Sequence, residues 1–159
     1  MKTQIRLMAA LAIVLVIVSG VASAPVAASG VAEVPFKAWY ETHPVTVGAP
    51  DGIVKMKIPS EGRGTHLGNS TWYADSWVDM NSYPWVQTGV MTFTAADGNQ
   101  LLGGFAGNAT PTSSGVEFWG EFWISDGTGR FEGVTGSGTY WGAVDGEVGM
   151  LYFDGTLLK

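Results

Sequence analysis

Cysteine is absent from this chain, and the absence removes several options at once. No disulfide can staple the fold, and no thiolate can hold a metal or act as a nucleophile. Histidine is almost absent as well. His43 and His66 are the only two, too few for a three-histidine zinc site. Basic residues are scarce: eight Lys and Arg stand against fourteen Asp and Glu, for a formal net charge of −6. Phosphate recognition needs a basic patch, so the balance argues for no nucleic acid partner. Helical patterning is also missing. Beyond residue 30 no segment joins a 3.6-residue apolar repeat to helix caps.

Long apolar runs are confined to the N-terminus. Lys2 and Arg6 precede an unbroken apolar run from Leu7 to Val18, and small residues follow from Ser19 to Gly30. This is the pattern of a secretory signal peptide, with an apolar run shorter than the roughly 20 residues of a membrane span. Cleavage is expected before Ser29, after Val26-Ala27-Ala28; at Ala22-Ser23-Ala24 the following Pro25 is a poor residue for the cut. The expectation is a leader over 1–28 and one secreted, extracytoplasmic domain over 29–159, with no stable membrane insertion after signal removal. An uncleaved anchor is the alternative. Loss of Lys2 and Arg6 with the leader takes the net charge from −6 to −8.

What the chain has in abundance is glycine and aromatics: 23 Gly, seven Trp, seven Phe and five Tyr. With no disulfide available, these rings must supply the core. The stretch Asp126–Gly142 organises the remainder. It reads as a glycine-dense turn, an apolar touchdown at Phe131, and an alternating strand from near Gly136. Gly127, Gly129, Arg130, Phe131, Gly136 and Gly138 form its structural turn. The glycines do not cradle phosphate, because no helix follows to offer its N-terminus.

Alternation recurs along the chain. Phe36, Ala38 and Tyr40 oppose Lys37, Trp39 and Glu41, and Val45–Val47 continues that strand; Val54, Met56 and Ile58 oppose Lys55 and Lys57. Ser60–Gly68 reads as a loop, Asn69–Met80 and Trp85–Ala95 as strands, and Asn108–Gly115 as a polar connection. Asp97-Gly98 and Asp145-Gly146 mark hairpins. Val116–Ile124 is the most regular strand, with Val116, Phe118, Phe122 and Ile124 on one face and Glu117, Trp119, Glu121 and Trp123 on the other. About eight strands joined by turns predict an all-β domain. Closure into a barrel is favoured because it removes exposed edges, and a two-sheet β-sandwich is the alternative.

Three motifs carry a family resemblance: Gly64-Thr65-His66-Leu67-Gly68, the run from Met91 to Leu101, and Gly127-Thr128-Gly129-Arg130-Phe131 through Gly136-Ser137-Gly138-Thr139. In this order they resemble bacterial secreted proteins similar to the allene oxide cyclase and dirigent proteins, over roughly Ile53 to Leu158. The resemblance implies an eight-stranded antiparallel barrel with an apolar cavity and no cofactor. The plant relatives hold a reactive intermediate and steer its cyclisation or coupling. No residue here matches a family catalytic residue position by position. Dimers and trimers both occur among such proteins, so a homo-oligomer stays open.

The candidate chemistry is correspondingly thin. Glu117 and Glu121, set among the indoles of Trp119 and Trp123, would have raised pKa values if their face lined a cavity. Hydrophobicity favours the opposite assignment, with Val116, Phe118, Phe122 and Ile124 inside and the carboxylates in solvent, since a buried unpaired charge costs several kcal/mol. The exposed tryptophans would then form a glycan or partner platform, and Tyr73 and Trp77, beside Asp75 and Asp79, repeat the pattern. His66 is a general acid–base candidate or a backbone-bonded turn residue. Arg130 is expected to satisfy turn carbonyls or to pair with Glu132 or Asp126. Ser137 lies on a strand and not on a nucleophile elbow. Two functions follow: a barrel that binds a small apolar molecule, with or without guiding its cyclisation or coupling, or a non-catalytic glycan- or protein-binding surface module that uses its exposed Trp residues.

Overall fold

A computed structural model describes residues 32–159, and the expected leader lies outside the described residues. The period-two alternation becomes nine antiparallel strands: β1 Glu33–Thr42, β2 Val45–Gly48, β3 Ile53–Gly64, β4 Gly68–Asp79, β5 Trp85–Thr94, β6 Gln100–Pro111, β7 Gly115–Gly127, β8 Thr135–Asp145 and β9 Val148–Leu158. Helix among the described residues is limited to 3-10 turns at Pro50–Gly52 and Gly129–Phe131.

Strands β3 to β9 pair in sequence order, and β1 pairs with β9 on one side and β3 on the other. Eight strands therefore close into a barrel, which leaves no free edge in the ring. The ninth, β2, runs on along β3: Val45 lies opposite Lys57 where Thr42 lies opposite Ser60. The His43–Pro44 step divides what reads in sequence as one strand, because Pro44 has no N–H to give the ladder.

The abundant glycine is explained by the inner face. Phe36 is paired with Gly155, Tyr40 with Gly62, Phe105 with Gly89, Phe122 with Gly138, and Tyr140 with Gly120. A Cβ on Gly138 would lie 2.8 Å from the Phe122 ring, and one on Gly142 would lie 2.5 Å from the Phe118 ring. Each glycine is the small half of a large–small pair, the arrangement that fits rings inside a narrow barrel. Phe36, Phe93, Phe122 and Phe153 then meet edge to face, with centroids 5.4 Å apart for Phe36–Phe93, 5.0 Å for Phe93–Phe153 and 5.3 Å for Phe122–Phe153. Such contacts add about 0.5–1.5 kcal/mol each beyond area burial.

Two expected loops are strand instead. β3 continues through Ser60 to Gly64, leaving only Thr65–Leu67 as the turn, and β6 continues through Asn108 to Pro111. In both, residues that read as loop formers serve the ladder. Gly62 makes room for Tyr40, and Asn108 is paired with Trp119 while Ala109 faces inward.

The Asp126–Gly142 stretch seals one end. Phe131 and Val134 are buried beneath the aromatic plug, and Gly129 takes a φ of 56° that a side chain would resist. Arg130 does not pair with Glu132 or Asp126. Its Nε lies 2.9 Å from Asp97 Oδ2 and its Nη2 donates to the His66 carbonyl at 2.8 Å, because the fold brings three sequence-distant turns together here. Lys159 Nζ donates to the Arg130 carbonyl at 2.7 Å.

Candidate functional site

The opposite end is open. Towards it the inward positions carry small or β-branched side chains: Val54, Val78, Ala109, Val116 and Val144. Phe36, Tyr40, Phe93, Phe122 and Phe131 fill the sealed half, and a cavity of about 230 Å³ remains between this rim and the plug. Trp72, Trp85, Phe105, Phe118 and Phe153 add aromatic wall. None of the lining residues is Asp, Glu, Lys, Arg or His.

The cavity holds one organised polar group. Tyr140 packs on Phe105 with centroids 5.5 Å apart, and its hydroxyl donates to Gln87 Oε1 at 3.3 Å. Gln87 Nε2 donates to Ser76 Oγ at 3.2 Å. All three side chains are buried. Burial pushes the Tyr140 phenol far above its ordinary value, so it is neutral and acts as a hydrogen-bonding group, not as a base. A second buried pair, Tyr40 Oη with Ser70 Oγ at 2.9 Å, belongs to the core of the barrel. There desolvation raises the Tyr40 phenol to about 12, against the opposing Ser70 hydrogen bond. The cavity can thus enclose, orient and dehydrate a small molecule, while offering it no ionised side chain.

The residues singled out in the sequence fall elsewhere. Glu117, Glu121, Trp119 and Trp123 are on the outer face of β7, and Phe122 and Ile124 are buried on the inner one. The carboxylates therefore stand in solvent and do not face the cavity. Tyr73 and Trp77 are outward on β4, where the Tyr73 hydroxyl donates to Asp75 at 3.3 Å. His66 sits at the sealed end with a φ of 66°, and its Nε2 lies 3.1 Å from the Pro35 carbonyl oxygen. Among the described residues no three His, Asp or Glu side chains gather as a metal cluster.

The outer face holds a feature that strand-by-strand reading misses. Trp39 of β1, Tyr152 of β9, Trp141 of β8 and Trp119 of β7 are successive cross-strand partners, forming one aromatic row over four adjacent strands. Trp141 and Tyr152 stack at 5.8 Å with an interplanar angle of 17°. Nearby, Trp123 covers Gly104, where a Cβ would lie 2.5 Å from its ring, and remains 46% exposed. Only the alternation within each strand was visible beforehand; the row needs the register of β9, β8 and β7.

Fold and cavity define a closed antiparallel barrel with an uncharged internal pocket. Comparison with protein-family models, curated proteins and solved structures finds no match.

Proposed function

We propose that this chain is a secreted barrel that binds a small apolar molecule in its open-end cavity, in the manner of the allene oxide cyclase and dirigent barrels it resembles. The observation that carries the reading is the cavity of about 230 Å³ walled by aromatic and aliphatic side chains without a single charge. That volume lies below the roughly 300–1,000 Å³ of drug-sized ligand sites and above the roughly 150 Å³ apolar cavity that admits benzene, so one or two rings is the fitting size. With no side chain that ionises near neutral pH, any guidance of cyclisation or coupling would act through shape, exclusion of water and hydrogen bonding, without a cofactor. Calorimetric titration of the purified protein with indane is the test. Measurable binding that is lost on Ala109→Leu, which fills the cavity, supports the reading; absence of binding, or binding indifferent to that substitution, defeats it.

A second reading, glycan or protein binding on the outside, is favoured by the aromatic row and by Trp123, exposed beside Glu121. Replacing Trp119 and Trp123 together by alanine would abolish glycan-array or pull-down signal if that face is used. Unchanged signal would sink it.

A further inference from the structure

The polar trio, of which Gln87 and Tyr140 line the cavity, is not saturated by its own hydrogen bonds. A glutamine amide offers two N–H donors and two acceptor lone pairs, and a phenol offers one donor and two lone pairs. Tyr140 spends its proton on Gln87 Oε1, and Gln87 spends one N–H on Ser76 Oγ. One amide N–H and the phenol lone pairs are left, on two side chains that line the cavity. Placing polar groups in an apolar, buried wall costs stability unless they find partners. An all-hydrocarbon wall would hold a hydrocarbon better.

We infer that the cavity selects a neutral molecule bearing a hydroxyl or carbonyl oxygen, and that this oxygen seats against Gln87 and Tyr140 while the hydrocarbon body fills the remaining apolar space. The inference rests on the cavity-binding reading above and names its ligand class. An oxygen there accepts the free Gln87 N–H, and a hydroxyl also donates to the phenol oxygen. Carboxylates and ammonium groups are rejected, because no lining residue supplies an opposite charge. Gln87 and Tyr140 are thus specificity-determining residues. A site built to bond a ligand oxygen discriminates against the analogue that lacks it.

The test is a matched series of one skeleton: indane, 2-indanol, 2-indanone and indane-2-carboxylate, titrated calorimetrically into the purified protein at pH 7. The alcohol and ketone are expected to bind about tenfold tighter than indane, the worth of one hydrogen bond. The carboxylate is expected to bind at least about a hundredfold weaker than the alcohol. Gln87→Leu should erase the preference for oxygen, and Tyr140→Phe should weaken the alcohol more than the ketone. Circular dichroism checks that each variant is folded; if Gln87→Leu is not, Tyr140→Phe carries the test. Equal or tighter binding of indane in the wild type overturns the inference and leaves the cavity reading intact. So does an oxygen preference that survives the substitutions, or a carboxylate that binds as well as the alcohol. If none of the four binds, both fall.

Discussion

Arg130 Nε lies 2.9 Å from Asp97 Oδ2, and through this pair the turn after β7 is tied to the β5–β6 hairpin. The Asp97 carboxyl is held below its ordinary value, first by the Asn99 backbone N–H and with help from Arg130. A depressed folded value means that the contribution is present above the unfolded value of about 3.9 and is lost as pH falls through the folded one. Asp97→Asn should therefore lower the urea midpoint at pH 7, and its difference from wild type should shrink as the pH falls below about 4. A difference that stays constant down to pH 2 would show that the carboxylate is not responsible.

The alkaline limb belongs to the two buried phenols, Tyr40 and Tyr140. The folded Tyr40 phenol is raised to about 12 against about 10 unfolded, so its contribution is full below pH 10 and is lost as pH rises through 12. The shift corresponds to about 2–3 kcal/mol. Wild-type stability should decline between pH 10 and 12, followed by urea denaturation at each pH. Tyr40→Phe should flatten that decline, although Tyr140, raised in the same direction, leaves part of it.

Phe105 and Gly89 are cross-strand partners facing inward, and a Cβ on Gly89 would run into the Phe105 ring and the Asp75 carbonyl. Gly89→Ala should cost about 1–3 kcal/mol through overpacking, opposite in sign to the gain expected for alanine in an unhindered strand. Chemical denaturation reads this directly; a neutral or stabilising result would contradict the packing account.

Among the described residues, Ser60 Oγ is buried without a hydrogen-bond partner, opposite Thr42 on one side and Trp72 on the other. Removing an unsatisfied buried hydroxyl relieves a desolvation cost of about 1–3 kcal/mol. Ser60→Ala should leave stability unchanged or raise it by about 1 kcal/mol. A loss of 2 kcal/mol or more in urea denaturation would mean that Ser60 has a partner.

Much of the strand pattern was legible because it is local. The division of Val116–Ile124 into two faces follows from alternation alone, as does that of Phe36, Ala38 and Tyr40 from Lys37, Trp39 and Glu41, and Asp97-Gly98 and Asp145-Gly146 turn where their backbone chemistry says they must. The misreadings share one cause. Gly62 and Gly64 look like loop residues until Tyr40 and Leu67 are seen in the space that their missing side chains leave, and Asn108 looks like a connection until Trp119 stands beside it. Arg130 satisfies a turn carbonyl, that of His66, as its donor set suggests, but its acid is Asp97 and not Glu132 or Asp126, because folding brings the β5–β6 turn beside it.

The candidate site was less legible. Glu117, Glu121, Trp119 and Trp123 drew attention because their types stand out within one strand, whereas the cavity is written in unremarkable valines, an alanine and Gln87, spread over several strands.

By itself the sequence determined that the domain is all-β, where most strands lie and which side chains of a strand share a face. Those outcomes depend on side-chain period and turn conformation within a few residues. Only the tertiary structure decided that β1 closes on both β9 and β3, that Trp39, Tyr152, Trp141 and Trp119 form one row, and that Gln87 meets Tyr140 above an aromatic plug. Each of these depends on the register between strands far apart in the chain, and a shift of one residue would turn every inward side chain outward.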